Sequence, residues 1–193
     1  MANDFKDPDS LYENDGRGHF QNTLSYVVPH TPHSSIGTDF GDLDNNGRTD
    51  FLVADMIATS RAKSMRGMAH LRANMELPRL HPGGAPQLMR NALYLNRDGR
   101  RMLEAANLTG LGASDWTWTV RLEDFDNDSD TDVWFTNGMV REFHSTDITG
   151  RMQKQESISA RVRIMRGTPL LAEANLAFRN DGNLTVTDVS TPW

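Results

Sequence analysis

The chain has 193 residues, 37% of them apolar, no cysteine and a formal net charge of −6. That length suffices for a sizeable buried core, and the lack of cysteine excludes disulfides, thiolate metal sites and a cysteine nucleophile. No run approaches the ~20 apolar residues of a membrane span, and the start MANDFKDPDS has neither region of a signal peptide, so no membrane insertion is expected. The acidic balance gives no basis for a nucleic-acid partner.

The first recognisable element is LYENDG at residues 11–16, a hairpin signal because Asn and Gly accept positive φ. It has echoes at residues 93–99 (LYLNRDG) and 177–182 (AFRNDG), and Tyr12, Tyr94 and Phe178 stand 82 and 84 residues apart. His30 and His33 lie among prolines and read as loop rather than as a metal pair. Ile36, Thr38 and Phe40 then alternate with Gly37, Asp39 and Gly41, which predicts a strand, and FLVA at 51–54 predicts another.

Over residues 61–77, Met65, Met68, Leu71 and Met75 recur at helical spacing among Arg61, Lys63, Arg66 and Arg72. This amphipathic helix either packs on its own fold or meets a partner, and Pro78, Pro82, Gly83, Gly84 and Pro86 end it. Trp116, Trp118, Val120 and Leu122 alternate with Thr117, Thr119 and Arg121, predicting a strand with its large residues on one face. Trp116, Trp118 and Trp134 are read as core residues rather than a sugar-stacking platform. A weaker helix is expected over 145–166, interrupted at Gly150.

Two acidic segments start 82 residues apart: residues 42–50 (DLDNNGRTD) and 124–132 (DFDNDSDTD). They hold eight aspartates, without which the net charge would sit near +2. Carboxylates gathered this way repel one another unless a cation joins them. In the pattern D-x-D-x-[DN]-G-x-x-D the first, third, fifth and ninth side chains and the seventh carbonyl supply oxygens, a hard donor set suited to Ca²⁺. The expected ligands are Asp42, Asp44, Asn46, the Arg48 carbonyl and Asp50 in the first loop, and Asp124, Asp126, Asp128, the Asp130 carbonyl and Asp132 in the second, for about two ions. Gly47 occupies the sixth position of the first loop and Ser129 that of the second, where a non-Gly residue at positive φ costs ~1 kcal/mol. An EF-hand would need a Glu at position 12, which is Val53 in one loop and Phe135 in the other.

Each unit therefore reads strand, acidic loop, strand, insertion, strand, Asn-Gly-type turn, strand. The expected fold class is all-β, built of four-stranded antiparallel β-propeller blades with partly helical insertions. Residues 1–35 form the last two strands of a preceding blade and a linker, 36–105 a blade with loop 42–50 and insertion 57–90, and 106–193 a blade with loop 124–132 and insertion 139–175. About two and a half blades cannot close a ring of ~4–8. The chain is accordingly read as part of a larger propeller, completed by missing blades or by self-association.

The acidic loops, the Asn-Asp-Gly hairpins and TNG at 136–138 resemble FG-GAP/VCBS repeats, the blades of integrin α-like propellers. DWTW at 115–118, followed by an acidic loop and then residues 137–143, is similar to the bacterial proteins that pair such repeats with an ASPIC/UnbV domain, the cartilage acidic protein-like group. The resemblance implies a propeller with calcium in the hairpin between the first two strands of a blade, and an extracellular or cell-envelope setting. It supplies no activity. The expected function is non-catalytic adhesion or binding of a protein or glycan ligand. The alternative is a metal-dependent hydrolase acting on glycans or phosphoesters, which a loop cation could serve as Lewis acid. Against it, saturated loops leave little open coordination, and neither a nucleophile elbow nor a phosphate loop is present.

Overall fold

The computed structural model describes residues 1–4, 7–67, 84–98, 100–142 and 145–191. In chain order its elements are β1 (Tyr12–Asn14), β2 (Phe20–Asn22), α1 (Leu24–Val27), β3 (Thr31–Pro32), β4 (Gly37–Gly41), β5 (Asp50–Ala54), β6 (Met56–Ile57) and α2 (Arg61–Arg66). There follow β7 (Gln87–Leu88), β8 (Ala92–Asn96), β9 (Met102–Glu104), α3 (Ala106–Thr109), β10 (Asp115–Glu123), β11 (Asp132–Asn137), α4 (Thr146–Gln153), α5 (Ile158–Arg166), β12 (Leu176–Asn180) and β13 (Val186–Asp188). The chain is mostly β-sheet, in several antiparallel sheets of which none is closed. No helix among the described residues is long and apolar enough to cross a membrane.

One sheet has the order β4-β5-β8-β9 and another β13-β12-β11-β10-β6, while β1 and β2 pair alone. All three Asn-centred turns join neighbouring strands: β1 to β2, β8 to β9 and β12 to β13. At two of them glycine takes the left-handed backbone the turn requires, Gly16 at φ +78° and Gly182 at φ +79°.

The β4-β5-β8-β9 sheet is covered on both faces, which explains the unbroken apolar run of β5. Leu52, Ala54, Leu93 and Leu95 face a core shared with Val120, Leu122, Val133 and Phe135 of the other sheet. Val53, Ala92 and Tyr94 face a second core with Leu24, Val27, Val28 and Ala85. Strand β4 lies hard against β10. A Cβ on Gly37 would sit 3.0 Å from the Thr119 Cα, and Leu122 N donates to Asp39 Oδ2 at 3.0 Å. Gly37 thus serves close approach of two backbones, while Gly41 makes room for the Leu122 and Thr131 side chains.

Several expectations need correction. The aromatic face of β10 is inverted: the β10–β11 register slips between Thr117 and Thr119, so Trp118 is a bulge. Thr117, Val120 and Leu122 consequently face inward, Trp116 is half-buried and Trp118 is 51% exposed. Trp116 and Trp118 do not fill the core with Val120 and Leu122. The helical interruption falls after Gln153 rather than at Gly150, which lies within α4; the Ser157 hydroxyl then caps α5 by accepting from Ala160 N at 3.2 Å. Of the helix expected over 61–77, residues 61–66 are helical; Met68, Leu71, Arg72 and Met75 lie outside the described residues, as do Pro78, Pro82, Gly83, Gly99, Phe143 and Trp193. Two pairings were not foreseen. Strand β6 adds to the edge of the second sheet through Asp115 and Trp116, and β3 pairs with β7 in parallel.

Asp55, fully buried between β5 and β6, organises this interior. Its carboxylate accepts from the backbone of His33 at 2.9 Å and Met56 at 2.6 Å, while its own N–H donates to Asn91 Oδ1 at 2.7 Å. Asn91 passes the link on to Leu111 O and Ser114 Oγ. Burial pushes the Asp55 carboxyl up to about 6, although the His33, Ser34 and Met56 amides pull the other way. An unfolded Asp titrates near ~3.9, so across the window up to about 6 the folded chain keeps a proton that the unfolded chain has lost. Stability therefore falls as pH rises through that window, by about 3 kcal/mol from this group. Chemical denaturation of wild type and Asp55→Asn at ~pH 4 and ~pH 6.5 should show a shallower decline in the variant; equal declines would reject this role for Asp55. Separately, Gly37→Ala should lower stability by ~2 kcal/mol, read as a shift of the urea midpoint, because the β4–β10 spacing must open.

Candidate metal centre

Residues 42–50 form the β4–β5 hairpin loop and residues 124–132 the β10–β11 loop. The two share the hydrogen bonds of their first, fifth and ninth positions. The first-position carboxylate accepts two backbone amides. Asp42 takes Asn46 N at 3.0 Å and Gly47 N at 2.7 Å; Asp124 takes Asp128 N at 3.1 Å and Ser129 N at 2.9 Å. The fifth side chain accepts from the seventh amide: Asn46 from Arg48 N and Asp128 from Asp130 N, both at 2.8 Å. Such short-range Asx bonds hold the chain in its tight curve. The backbone matches as well, with Asn45 at φ +56° against Asn127 at +64°, and Gly47 at +77° against Ser129 at +79°. Ser129 does adopt the left-handed conformation that its neighbour loop assigns to glycine.

The ninth residue is a clamp. Asp50 accepts from Leu43 N at 2.9 Å with one oxygen and from Asn96 N at 2.8 Å with the other. Asp132 does the same with Phe125 N at 3.0 Å and Asn180 N at 2.9 Å. Asn96 and Asn180 end β8 and β12, so each loop is tied to the third strand of its own sheet. Both carboxylates are almost completely buried. Burial pushes the Asp50 carboxyl above its usual range, and the charges of Asp44 and Asp42 push it further, against the pull of the two amides. Asp126 is also raised, first by desolvation and then by the charges of Asp128, Asp132 and Asp124. Both loops thus hold more negative charge than their own hydrogen bonds neutralise.

Of the ten predicted ligand residues, the structure brings two trios together. The carboxylates of Asp42, Asp44 and Asp50 each offer an oxygen within 4.8 Å of the others, as do those of Asp124, Asp126 and Asp128. These clusters could hold a metal ion. Asn46 is partly occupied elsewhere, its Nδ2 donating to Asn96 O at 3.1 Å. Arg48 and Asp130 enter the predicted set through their carbonyls alone; the Asp130 carboxylate accepts from Asn45 Nδ2 of the other loop at 2.5 Å.

The loops differ in burial. The Asp44 side chain is only 4% exposed, and among the described residues neither of its oxygens accepts a hydrogen bond. Its charged neighbour is Arg97, whose Nη2 lies 3.2 Å from Oδ2 in an ion pair without hydrogen-bond geometry. Asp126 is exposed and accepts from Asp128 N at 3.2 Å. A buried carboxylate with open lone pairs is expensive in the absence of a cation, so the first loop fits a metal ion best.

The sequence reading missed the residues that brace the loops. Asn180 Nδ2 donates to Leu43 O of the first loop at 2.9 Å and to Thr131 O of the second at 3.1 Å. With the Asn45–Asp130 bond, it links the two loops directly. The signal was present in the recurrent aromatic-x-Asn, but it was read as turn chemistry alone. His30 and His33 are loop residues, as expected, and are buried. Arg90 Nη2 lies 2.7 Å from His30 Nε2, and Glu104 3.3 Å from it, which is structural polar packing. His70, His81 and His144 lie outside the described residues.

No protein-family model matches the chain, and no curated protein is significantly similar to it.

Asp44→Asn tests the site through a change of sign. Without divalent metal it removes a buried charge that accepts no hydrogen bond among the described residues and faces only the half-exposed Arg97, and it should raise stability by ~1 kcal/mol, or ~3 °C for a chain of this size. With calcium present the same variant should melt below wild type. A variant that is less stable than wild type in chelator would mean that Arg97 already compensates Asp44.

Proposed function

We propose that the chain is a non-catalytic, calcium-stabilised segment of a larger β-propeller of the FG-GAP/VCBS type, acting in adhesion or ligand binding at the cell surface or outside the cell. The observation that carries the reading is Asp44, a buried carboxylate that no hydrogen-bond donor among the described residues reaches, converging with Asp42 and Asp50 inside a hairpin loop. The strand order β4-β5-β8-β9, and the run β10-β11-β12-β13 within a sheet that β6 extends to five strands, with the acidic loop between the first two strands of each run, support blades of four antiparallel strands. The lone β1–β2 hairpin fits the end of a preceding blade. The extracellular setting rests on the family resemblance of the loops and hairpins.

Calcium suits these sites because their donors are all hard oxygens in an irregular arrangement, whereas Mg²⁺ needs a compact octahedron. Asp42, Asp44, Asp50 and the Asn46 and Arg48 oxygens would hold the first ion; Asp124, Asp126, Asp128, Asp132 and the Asp130 carbonyl would hold the second. The ions would cancel the repulsion within each loop and so stabilise the hairpins that the ninth-position clamps attach to the sheets.

Calcium added to chelator-stripped protein, followed by calorimetry and light scattering, should titrate about two sites. At ~100-fold excess over Kd each site adds about 2.7 kcal/mol of stability. Mg²⁺ at the same concentration should give a smaller shift. The double variant Asp44→Ala/Asp126→Ala should lose most of the response. A melting curve indifferent to both calcium and chelator would end the proposal.

A further inference from the structure

At the opposite end of β10 from its acidic loop, roughly 30 Å away along nine residues, the two insertions meet. Gly67, just past α2, bridges to Ser145, and Thr146 Oγ1 donates to Arg66 O at 3.3 Å. Where they join over the β6–β10 pairing they enclose a cavity of about 330 Å³. That volume is in the range of small-molecule sites, ~300–1,000 Å³. In repeat architectures insertions tend to gather on one face, often the binding face.

The wall of the cavity is apolar and adaptable: Met56, Ile57, Met89, Trp116, Met139 and Leu171. Methionines pack against varied shapes, and an indole face attracts cations. The bulge at Trp118 is what turns Trp116 away from the core and toward this space.

The charged groups settle the sign of the ligand. Asp115, Glu173 and Glu142 line the cavity with side chains 7%, 11% and 17% exposed, so the negative charges are fixed in the interior. Asp115 is further anchored by Thr59 N at 2.9 Å and Thr59 Oγ1 at 3.0 Å. The counter-cations reach in from the rim. Lys63, 48% exposed, lies 2.5 Å from Asp115 and 3.5 Å from Glu173; Arg66, 71% exposed, lies 3.5 Å from Glu142. Among the described residues three buried carboxylates thus face two cations whose side chains are largely exposed at the rim. With Lys63 and Arg66 paired, the described lining still carries one more negative than positive charge, which disfavours an anion, while an ammonium that displaces Lys63 finds both Asp115 and Glu173.

We propose that this cavity binds an organic cation: an amine carried on an aromatic or aliphatic body, the body against Trp116 and the methionines and the ammonium between Asp115 and Glu173. The site is separate from the acidic loops, and its occupancy does not depend on their holding calcium.

The test uses three molecules of similar shape and different charge on the full wild-type chain: phenethylamine, 2-phenylethanol and 3-phenylpropionate. Methionine methyl signals report binding by NMR. Phenethylamine should shift methyl signals saturably, the alcohol should bind at least ~5-fold more weakly, and the carboxylate should not saturate. Glu173→Gln should weaken the amine ~10-fold, as expected for the loss of about 1.4 kcal/mol, without changing the melting temperature by more than a degree or so. Carboxylate binding as tight as that of the amine, or no saturable shift with any of the three, overturns the proposal. A missing calcium response would sink the loop reading while leaving this result intact.

Discussion

Two buried carboxylates, Asp50 and Asp132, hold the architecture together. Each spends one oxygen on an amide in its own loop and the other on the amide that ends the third strand of its sheet. A charge-assisted hydrogen bond to a backbone amide is among the stronger polar contacts, and four of them at the loop bases leave little freedom for the loops to reorient. In the first loop the same clamp brings the other acids together. Once the ninth residue is anchored inward, the first and third side chains share its concavity, and Asp42 and Asp44 come within reach of Asp50. The fold thus builds a concentration of like charge that only a counter-ion relieves, which is the physical basis of the proposed calcium sites.

That constraint extends across the molecule. Asn180, placed by the Asp132 clamp, reaches back to the carbonyl of Leu43 in the other loop, and Asn45 meets Asp130. Along the strands, Gly37 lets β4 lie against β10 at backbone distance. A disturbance of one loop is therefore carried to the other through hydrogen bonds and a packed strand pair. At the far end the chemistry is different. Charges there are mixed, the walls are apolar, and the acids rather than the bases are the buried members. One end of the sheets is suited to small hard cations, the other to a cation with an apolar body.

The acidic loops, the three Asn-centred turns and the strands beside them could be read from the chain because each depends on local rules. Asx bonds span two to five residues, and Asn and Gly tolerate positive φ wherever they occur. The left-handed Ser129 was legible for the same reason. The face of Trp116 and Trp118 was misread because alternation assumes an unbroken ladder, and one bulge reverses it. Gly150 was taken for a helix break, yet one glycine costs a helix only ~1 kcal/mol, which flanking residues absorb. Asp55, Asn91 and Asn180 were missed because most of their partners lie 20 to 137 residues away.

The sequence by itself determined that the chain is mostly β-sheet with helical insertions, and it determined the two oxygen-rich loops and their shared spacing, since these follow from side-chain type and short-range geometry. Tertiary structure alone decided which carboxylate is buried without a donor, which asparagines brace the loops, and that the two insertions meet around a cavity. Those outcomes depend on burial and on contacts between distant segments, and burial is a property of the packed chain that no residue carries in its own identity.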